Sequence, residues 1–418
     1  MAKSRSPLII IFITIFIDLI GFGIVIPVLP LYAERYHASE TVIGLMLASY
    51  SMMQFIFAPI LGRLSDRVGR RPVLLLSLIG TSLGFLLMGF AHLIPFGVVL
   101  FGLSPVVVWL FLARIIDGIS GGNISTAQAY IADVTPPDER ARGMGLIGAA
   151  FGLGFIFGPA IGGLLSHFSP ETPFFFAAGL AALNATALYF WLPESLAPEH
   201  RHAARRRAPL AEILEQAGDW QLKAVFATYF FATVAFAMLT ATFALFASHR
   251  FHFDATHTGY MFTYVGVIGA FIQGGLIGKL VKAFGEKRLA VVGTLIFSVA
   301  LFGLPMAKTL VMLLVASSGI AIGNSLVTPT LNSLASKHVS PSFQGRILGA
   351  MASVASLARI IGPMLGGFLL GRDNERDAYY GKTVYWVSGA IMIIALALAV
   401  SLHVRSTGAN PTTVAIEE

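Results

Sequence analysis

Hydrophobic residues along this chain gather into twelve long runs separated by short polar breaks, near 8–30, 42–61, 73–91, 105–131, 143–166, 173–192, 222–248, 258–281, 289–306, 309–332, 346–370 and 383–403. Each run is close to the ~20 residues that an α-helix needs to cross a ~30 Å hydrocarbon layer. The pattern predicts an all-α integral membrane protein with twelve transmembrane helices in two six-helix halves. One break is much longer than the rest. Between 193 and 221 the apolar pattern gives way to Pro193-Glu194-Ser195, then a basic stretch from His200 to Arg207, then an amphipathic patch from Leu210 to Leu214. This divides the chain into an N-terminal bundle (1–192), a linker (193–221) suited to an anionic lipid surface, a C-terminal bundle (222–404) and a tail (405–418).

The second half repeats the first. Gly278-Lys279-Leu280 through Gly285-Glu286-Lys287-Arg288 echoes Gly62 to Arg71, Gly323-Asn324 echoes Gly122-Asn123, and Gly362-Pro363-x-x-Gly366-Gly367 echoes Gly158-Pro159-x-x-Gly162-Gly163. A parallel repeat of two helical bundles is an architecture of secondary transporters.

Composition agrees with the pattern: 56% of residues are hydrophobic and only 12% charged, about half the charged share of a soluble protein. A formal net charge of +7 could signal nucleic acid, so the placement of the basic residues decides. With the N-terminus inside, only Arg35, Arg250, Lys308, Arg372, Arg376 and Lys382 fall on the outer face, and Arg114 and Arg359 fall within runs. The asymmetry puts both termini in the cytoplasm and explains the basicity as a topology signal, with no nucleic-acid partner. The first run is long and leads straight into another, so no cleavable signal peptide is needed. Asn123 and Asn184 head glycosylation-type triplets inside apolar runs, which, with the short loops, favours a bacterial inner membrane. The chain has no cysteine, which excludes disulfides and thiolate metal sites, and its histidines sit in loops or at run ends. With no nucleophile–base set or phosphate loop either, it is not expected to be an enzyme or to hold a metal or cofactor.

Polar residues inside the runs are the candidate chemistry. Asp18 in the first run costs about 2.5–3.5 kcal/mol on insertion scales, so it should face a cavity or a partner. Arg114 and Asp117 are spaced i, i+3, which allows a local ion pair. Tyr50 and Gln54 share a helical face, where substrate contact and an interhelical hydrogen bond both fit. Asn123, Gln128, Asn324 and Arg359 complete a candidate substrate cavity, and Arg359 must be paired or face water or an anionic ligand.

Four ordered motifs are more specific than any of these residues alone. Gly62-Arg63-Leu64-Ser65-Asp66-Arg67-Val68-Gly69-Arg70-Arg71-Pro72 reads as a dense basic turn between the second and third runs, with Gly62 and Gly69 suited to close approach or positive φ and Pro72 to a helix's first turn. Asp18-Leu19-Ile20-Gly21-Phe22-Gly23 with Pro27 and Pro30, Leu110-x-x-x-Arg114-x-x-x-Gly118, and Gly154-x-x-x-Gly158-Pro159-x-x-Gly162-Gly163 are the others. Together they resemble the twelve-helix drug/proton antiporters of the major facilitator superfamily, in particular the tetracycline/proton antiporters.

That resemblance implies a proton-coupled exporter of amphipathic small molecules or drugs working by alternating access, with the proton as coupling ion. Asp18, Arg114 and Asp117 would handle the proton, and Asp18 would be its carrier. Gly62, Asp66, Arg67, Gly69, Arg70 and Arg71 would form a cytoplasmic gate, and Gly154, Gly158, Pro159, Gly162 and Gly163 the antiporter motif. The partners would be the small-molecule substrate, protons and membrane lipids, with the protein acting as a monomer. The resemblance fails at two places: the acidic residues of the tetracycline exporters' third and ninth helices correspond to Gly84 and Phe297 here, which leaves the substrate open. A transporter of organic anions or metabolites using Arg359 and Arg114 is the alternative. A non-transporting receptor or scaffold is a third reading, against which the expensive buried charges argue.

Overall fold

The computed structural model describes residues 6–94, 99, 102–136, 140–196, 220–339, 344–374 and 377–407. Most of the linker and of the tail lies outside them. Among the described residues twelve helices are long and apolar enough to cross a membrane. They are α1 (Ser6–Arg35), α2 (Glu40–Val68), α3 (Arg70–Phe90), α4 (Pro105–Val134), α5 (Arg140–Ser166), α6 (Thr172–Trp191), α7 (Trp220–Phe251), α8 (Ala255–Phe284), α9 (Glu286–Gly303), α10 (Leu310–Lys337), α11 (Gln344–Leu370) and α12 (Lys382–Thr407). The fold is all-helical, and the protein is a multi-pass membrane protein.

Local sequence explains where these helices begin. Ser39 accepts from the Val42 amide, Asp254 from the His257 amide and Thr309 from the Met312 amide, each supplying an acceptor to an orphan donor of a first turn. Burial works against the charge of the Asp254 carboxylate, but the backbone and ring N–H of His257 more than offset it and hold its pKa below the ordinary value. Pro105 and Pro173 occupy first turns, where the missing N–H costs nothing. The stretch expected as a turn at 62–72 is tighter than that: α2 continues to Val68, and Gly69 at φ 110° alone joins it to α3. Gly285 at φ 75° does the same between α8 and α9. Only glycine enters this region without a Cβ penalty.

Two helices depart from α geometry. A 3₁₀ turn at Gly121–Asn123 interrupts α4, and a π-helical turn at Ile272–Leu276, containing Gly274 and Gly275, interrupts α8.

Contacts group the chain into two compact units: 1–207 with 237–270 and 359–384, and 208–236 with 271–358 and 385–418. In the first, the small residues of α5 let α1 approach at backbone distance. A Cβ added to Gly23 would lie 2.8 Å from the Gly154 carbonyl oxygen and 2.9 Å from Gly158 Cα, so a side chain there would force the helices apart. The same device brings segments of α8 and α11 into this unit. Gly259 would meet the Pro159 carbonyl oxygen, and Gly44 and Gly367 face each other across α2 and α11. His249 Nε2 lies 2.7 Å from Glu34 Oε1 and its ring stacks on Tyr380, tying the end of α7 to that of α1. In the second unit α9 and α10 close through Gly293 and Gly323, with Phe297 fully buried between them and packed on Phe236.

Candidate functional site

Asp18 is placed by its neighbours. Leu19 packs on Gly154 and Gly23 on Gly158, which holds one side of α1 hard against α5. From α4, the 3₁₀ turn presents Asn123, 3% exposed, whose Nδ2 donates to Asp18 Oδ2 at 2.6 Å. Gly122 lets the same turn lie close against α2, because a Cβ there would stand 2.9 Å from the backbone nitrogen of Ala58. Asp18 Oδ1 is enclosed and has no hydrogen-bond partner among the described residues. A buried carboxylate oxygen without a partner is a costly arrangement inside an apolar segment.

About two turns back along α4, Arg114 Nη1 donates to Asp117 Oδ2 at 2.7 Å. Arg114 is 1% exposed and Asp117 4%. The guanidinium also lies over the Tyr50 ring, 4.1 Å from its centroid, a distance at which a desolvated cation–π contact contributes about 2 kcal/mol. Gln54 joins the same face: its Nε2 donates to the Gly121 carbonyl at 2.8 Å and to Tyr50 Oη at 3.3 Å. Phe22 on α1 closes the aromatic side, with its ring centroid 5.8 Å from that of Tyr50. Asp117 lies within Coulombic range of Asp18, and Arg359 within range of Tyr50. Gly84 on α3 abuts this group; a Cβ there would lie 3.1 Å from that of Asp117.

The first unit thus brings together Asp18, Tyr50, Gln54, Arg114, Asp117 and Asn123 and sets Arg359 within electrostatic reach. Gln128 is exposed and takes no part in these hydrogen bonds. Asn324 belongs to the second unit, where it accepts from Thr328 at 3.4 Å. Among the described residues no group of three or more His, Cys, Asp or Glu could hold a metal ion.

A second cluster lies at the α2–α3 junction. Arg70 pairs with Asp66 and, through Nε, with Asp133 Oδ2 at 3.1 Å, while its Nη1 donates to Ser65 Oγ at 2.8 Å. Glu194, just beyond α6, accepts the backbone N–H of Arg70 at 2.8 Å and of Arg71 at 3.1 Å, which places an anion at the positive end of α3. Arg71 donates to the Tyr189 carbonyl. Arg67 is exposed and outside these contacts, and Gly62 is a buried position within α2. The spacing of the basic residues does not reveal Asp133 and Glu194, which complete the cluster. The available signal was Glu194 itself, an acidic residue right after an apolar run.

A family model for the Major Facilitator Superfamily matches residues 11–282 and 225–418. The chain belongs to the major facilitator superfamily. It is 34% identical over 372 residues to a class C tetracycline resistance protein of Escherichia coli, covering 87% of this chain and 89% of that protein. It is 30% identical over 404 residues to Multidrug resistance protein 2 of Bacillus subtilis, at 95% of each. Among solved structures, an inward-facing bacterial homologue of the human lysosomal transporter Spinster superposes with a TM-score of 0.75 at 15% identity, over 99% of this chain and all of that one. The human organic anion transporter MFSD10 does so with a TM-score of 0.68 at 24% identity, over 96% of this chain and all of that one. Both structural likenesses speak to the fold. Like its superfamily relatives, this protein is a transporter and not an enzyme.

Proposed function

We propose that this transporter exports amphipathic small molecules in exchange for protons, with the bundles 1–192 and 222–404 alternating access to a central site. The observation that carries the reading is the half-satisfied carboxylate of Asp18, held by Asn123 beside the buried Arg114–Asp117 pair. An apolar setting favours the protonated form of a carboxyl group and a nearby cation the ionised form. A rearrangement that changes the distance from Asp18 to Arg114 would therefore load and unload a proton. Asp117 is already committed to Arg114 and serves as its fixed counter-ion. The names of the relatives, tetracycline and multidrug resistance proteins, support drug-like cargo. Tyr50, Phe22 and Gln54 offer the aromatic and hydrogen-bonding surface that such cargo needs.

On this reading both termini and the α2–α3 junction face the cytoplasm of a bacterial cell, and the protein works as a monomer. Arg70 with Asp66, Asp133 and Glu194 forms the gate on that side. Proteoliposomes with an imposed pH gradient and an internal pH dye test the proposal. A panel of lipophilic cations, neutral amphiphiles and organic anions should show gradient-driven movement of the first two with matching proton flux. Selective anion flux would assign the site to organic anions through Arg359 and Arg114, and flux that ignores the gradient would remove proton coupling.

A further inference from the structure

In the first unit, segments of α7, α8 and α11 lie against α1, α2 and α5 largely through neutral contacts whose strength no proton alters. Gly44 on α2 faces Pro363 and Gly367 on α11, Gly259 on α8 faces the Pro159 carbonyl of α5, and Thr256 donates to the Gly163 carbonyl at 2.7 Å. One set of side chains differs. At the helix ends remote from the α2–α3 junction, His249 Nε2 of α7 lies 2.7 Å from Glu34 Oε1 of α1. The imidazole stacks on Tyr380, with centroids 4.9 Å apart and planes 15° apart. Tyr380, fully buried in the connection between α11 and α12, donates to Glu40 Oε1 at the start of α2 at 3.3 Å. The set thus crosses twice between helices of the first and second halves of the chain.

Its strength depends on charge. A protonated imidazole makes a charge-assisted hydrogen bond to a carboxylate, roughly twice as strong as the bond between neutral partners. The Glu34 carboxylate is the charge in contact with the ring. Around them stand Arg35, next to Glu34 on α1, Glu40 on α2, Arg250, next to His249 on α7, and, in the α11–α12 connection, Asp377, which pairs with Lys382 at 3.1 Å and lies within Coulombic range of Arg250. The side chains of His249 and Glu34 are 17% and 33% exposed, so water reaches the pair and its contribution is that of a partly screened contact, enough to tune an equilibrium. Two other histidine–carboxylate pairs occupy the same end, His92 with Glu171 at 3.9 Å and His257 with Asp254 at 2.7 Å. Each joins residues of one half, so neither changes the contact between halves.

We propose that Glu34, His249, Tyr380 and Glu40 form a proton-operated latch, which holds the two halves together at this end while the imidazole is protonated and lets them part when it is neutral. The inference rests on the alternating-access reading and is independent of proton exchange at Asp18. In the orientation proposed above this end faces outside, so an acidic exterior keeps the transporter shut to it.

The test uses the full-length protein in lipid nanodiscs without cargo, with Asp18→Asn as the background so that this carboxyl group contributes no proton. Spin labels on Phe168→Cys and Arg372→Cys, exposed positions in the two halves at this end, report whether it is closed or open. Between about pH 5.5 and pH 8, across the range in which an ordinary imidazole loses its proton, the ratio of open to closed protein should rise about tenfold, the effect of one charged hydrogen bond. His249→Gln and Glu34→Gln should each abolish the response and leave the ratio at pH 5.5 near the parent's value at pH 8. His92→Gln should respond as the parent does. Two populations whose ratio ignores pH in the parent, or a response that survives either latch variant, would overturn the latch and leave alternating access standing. A single distance in every variant at every pH would overturn both. Unchanged melting temperatures for His249→Gln and Glu34→Gln at pH 8, where the latch is released, verify that folding is intact; if one variant melts early, the other carries the comparison.

Discussion

Arg114 reaches one turn along its own helix to hold Asp117 at 2.7 Å, in a place where the two residues are 1% and 4% exposed. A pair this deep offsets its desolvation only while both members are present. Asp117→Asn should therefore cost about 3–5 kcal/mol of stability by leaving Arg114 uncompensated. The double variant Arg114→Gln/Asp117→Asn should recover a large part of that loss. Thermal unfolding of the parent, both single variants and the double variant in the same detergent closes the cycle. If the single losses simply add, the two residues are not a coupled pair.

The second cluster yields a different kind of prediction, because it is built at a helix junction. Asp66 and Asp133 share Arg70, and Glu194 caps α3. Asp66→Asn weakens one charged hydrogen bond, worth about 1.5 kcal/mol in this half-exposed setting, or roughly a tenfold change in a two-state equilibrium. Substrate affinity should stay near that of the parent while the transport rate falls, because the residues proposed to face the substrate are untouched. Spectroscopic distances across the junction should report the shifted populations. Unchanged rate and unchanged distances would dismiss a gating role for the cluster.

What could be read in the sequence and what could not follows from the range of each interaction. The twelve runs, the i, i+3 relation of Arg114 and Asp117, and the single-residue freedom of Gly69 are local, so they were legible. The turn at 62–72 was drawn too wide because a basic, polar stretch ending in glycine reads as loop, whereas α2 in fact keeps its hydrogen bonds to Val68. Asn123 was visible as a polar residue in an apolar run, but its pairing with Asp18 spans 105 residues and depends on the Gly121–Asn123 turn. Glu194 looked like the start of a linker and is instead the cap of a helix 124 residues earlier. The contact of Glu34 with His249 had no sequence signal, since each side chain is ordinary at a helix end.

Close approach of α2 and α11 gives a third prediction. A Cβ at Gly371 would lie 3.3 Å from Thr41 Oγ1, and one at Gly367 2.9 Å from Gly44 Cα. The chain has no cysteine, so the pair Thr41→Cys/Gly371→Cys, which places two side chains in direct contact, can be oxidised without a competing thiol. If alternating access requires this contact to open, oxidation should stop transport and a reductant should restore it. Either single cysteine should transport normally under both conditions. Transport that continues through a fully cross-linked protein would show that α2 and α11 stay together throughout the cycle.

The remaining prediction concerns the proposed role of Asp18 in proton coupling. Asp18 has one oxygen held by Asn123 at 2.6 Å and the other enclosed without a partner, so its carboxyl group can gain a proton on Oδ1 without breaking an existing hydrogen bond. Asp117 cannot do so as cheaply, because neutralising it would strand Arg114. Asp18→Asn keeps the shape and fixes the group as neutral. It should therefore lose uphill transport driven by a pH gradient while downhill exchange and substrate binding survive. Asn123→Ala removes the described hydrogen-bond partner of the Asp18 carboxyl group and should change the coupling ratio while substrate binding survives. Measuring uphill and downhill flux for Asp18→Asn, Asp117→Asn and Asn123→Ala across internal pH separates the roles. Full gradient-driven transport by Asp18→Asn would transfer the proton to another group, and coupling that survives in both aspartate variants would remove protons from the mechanism.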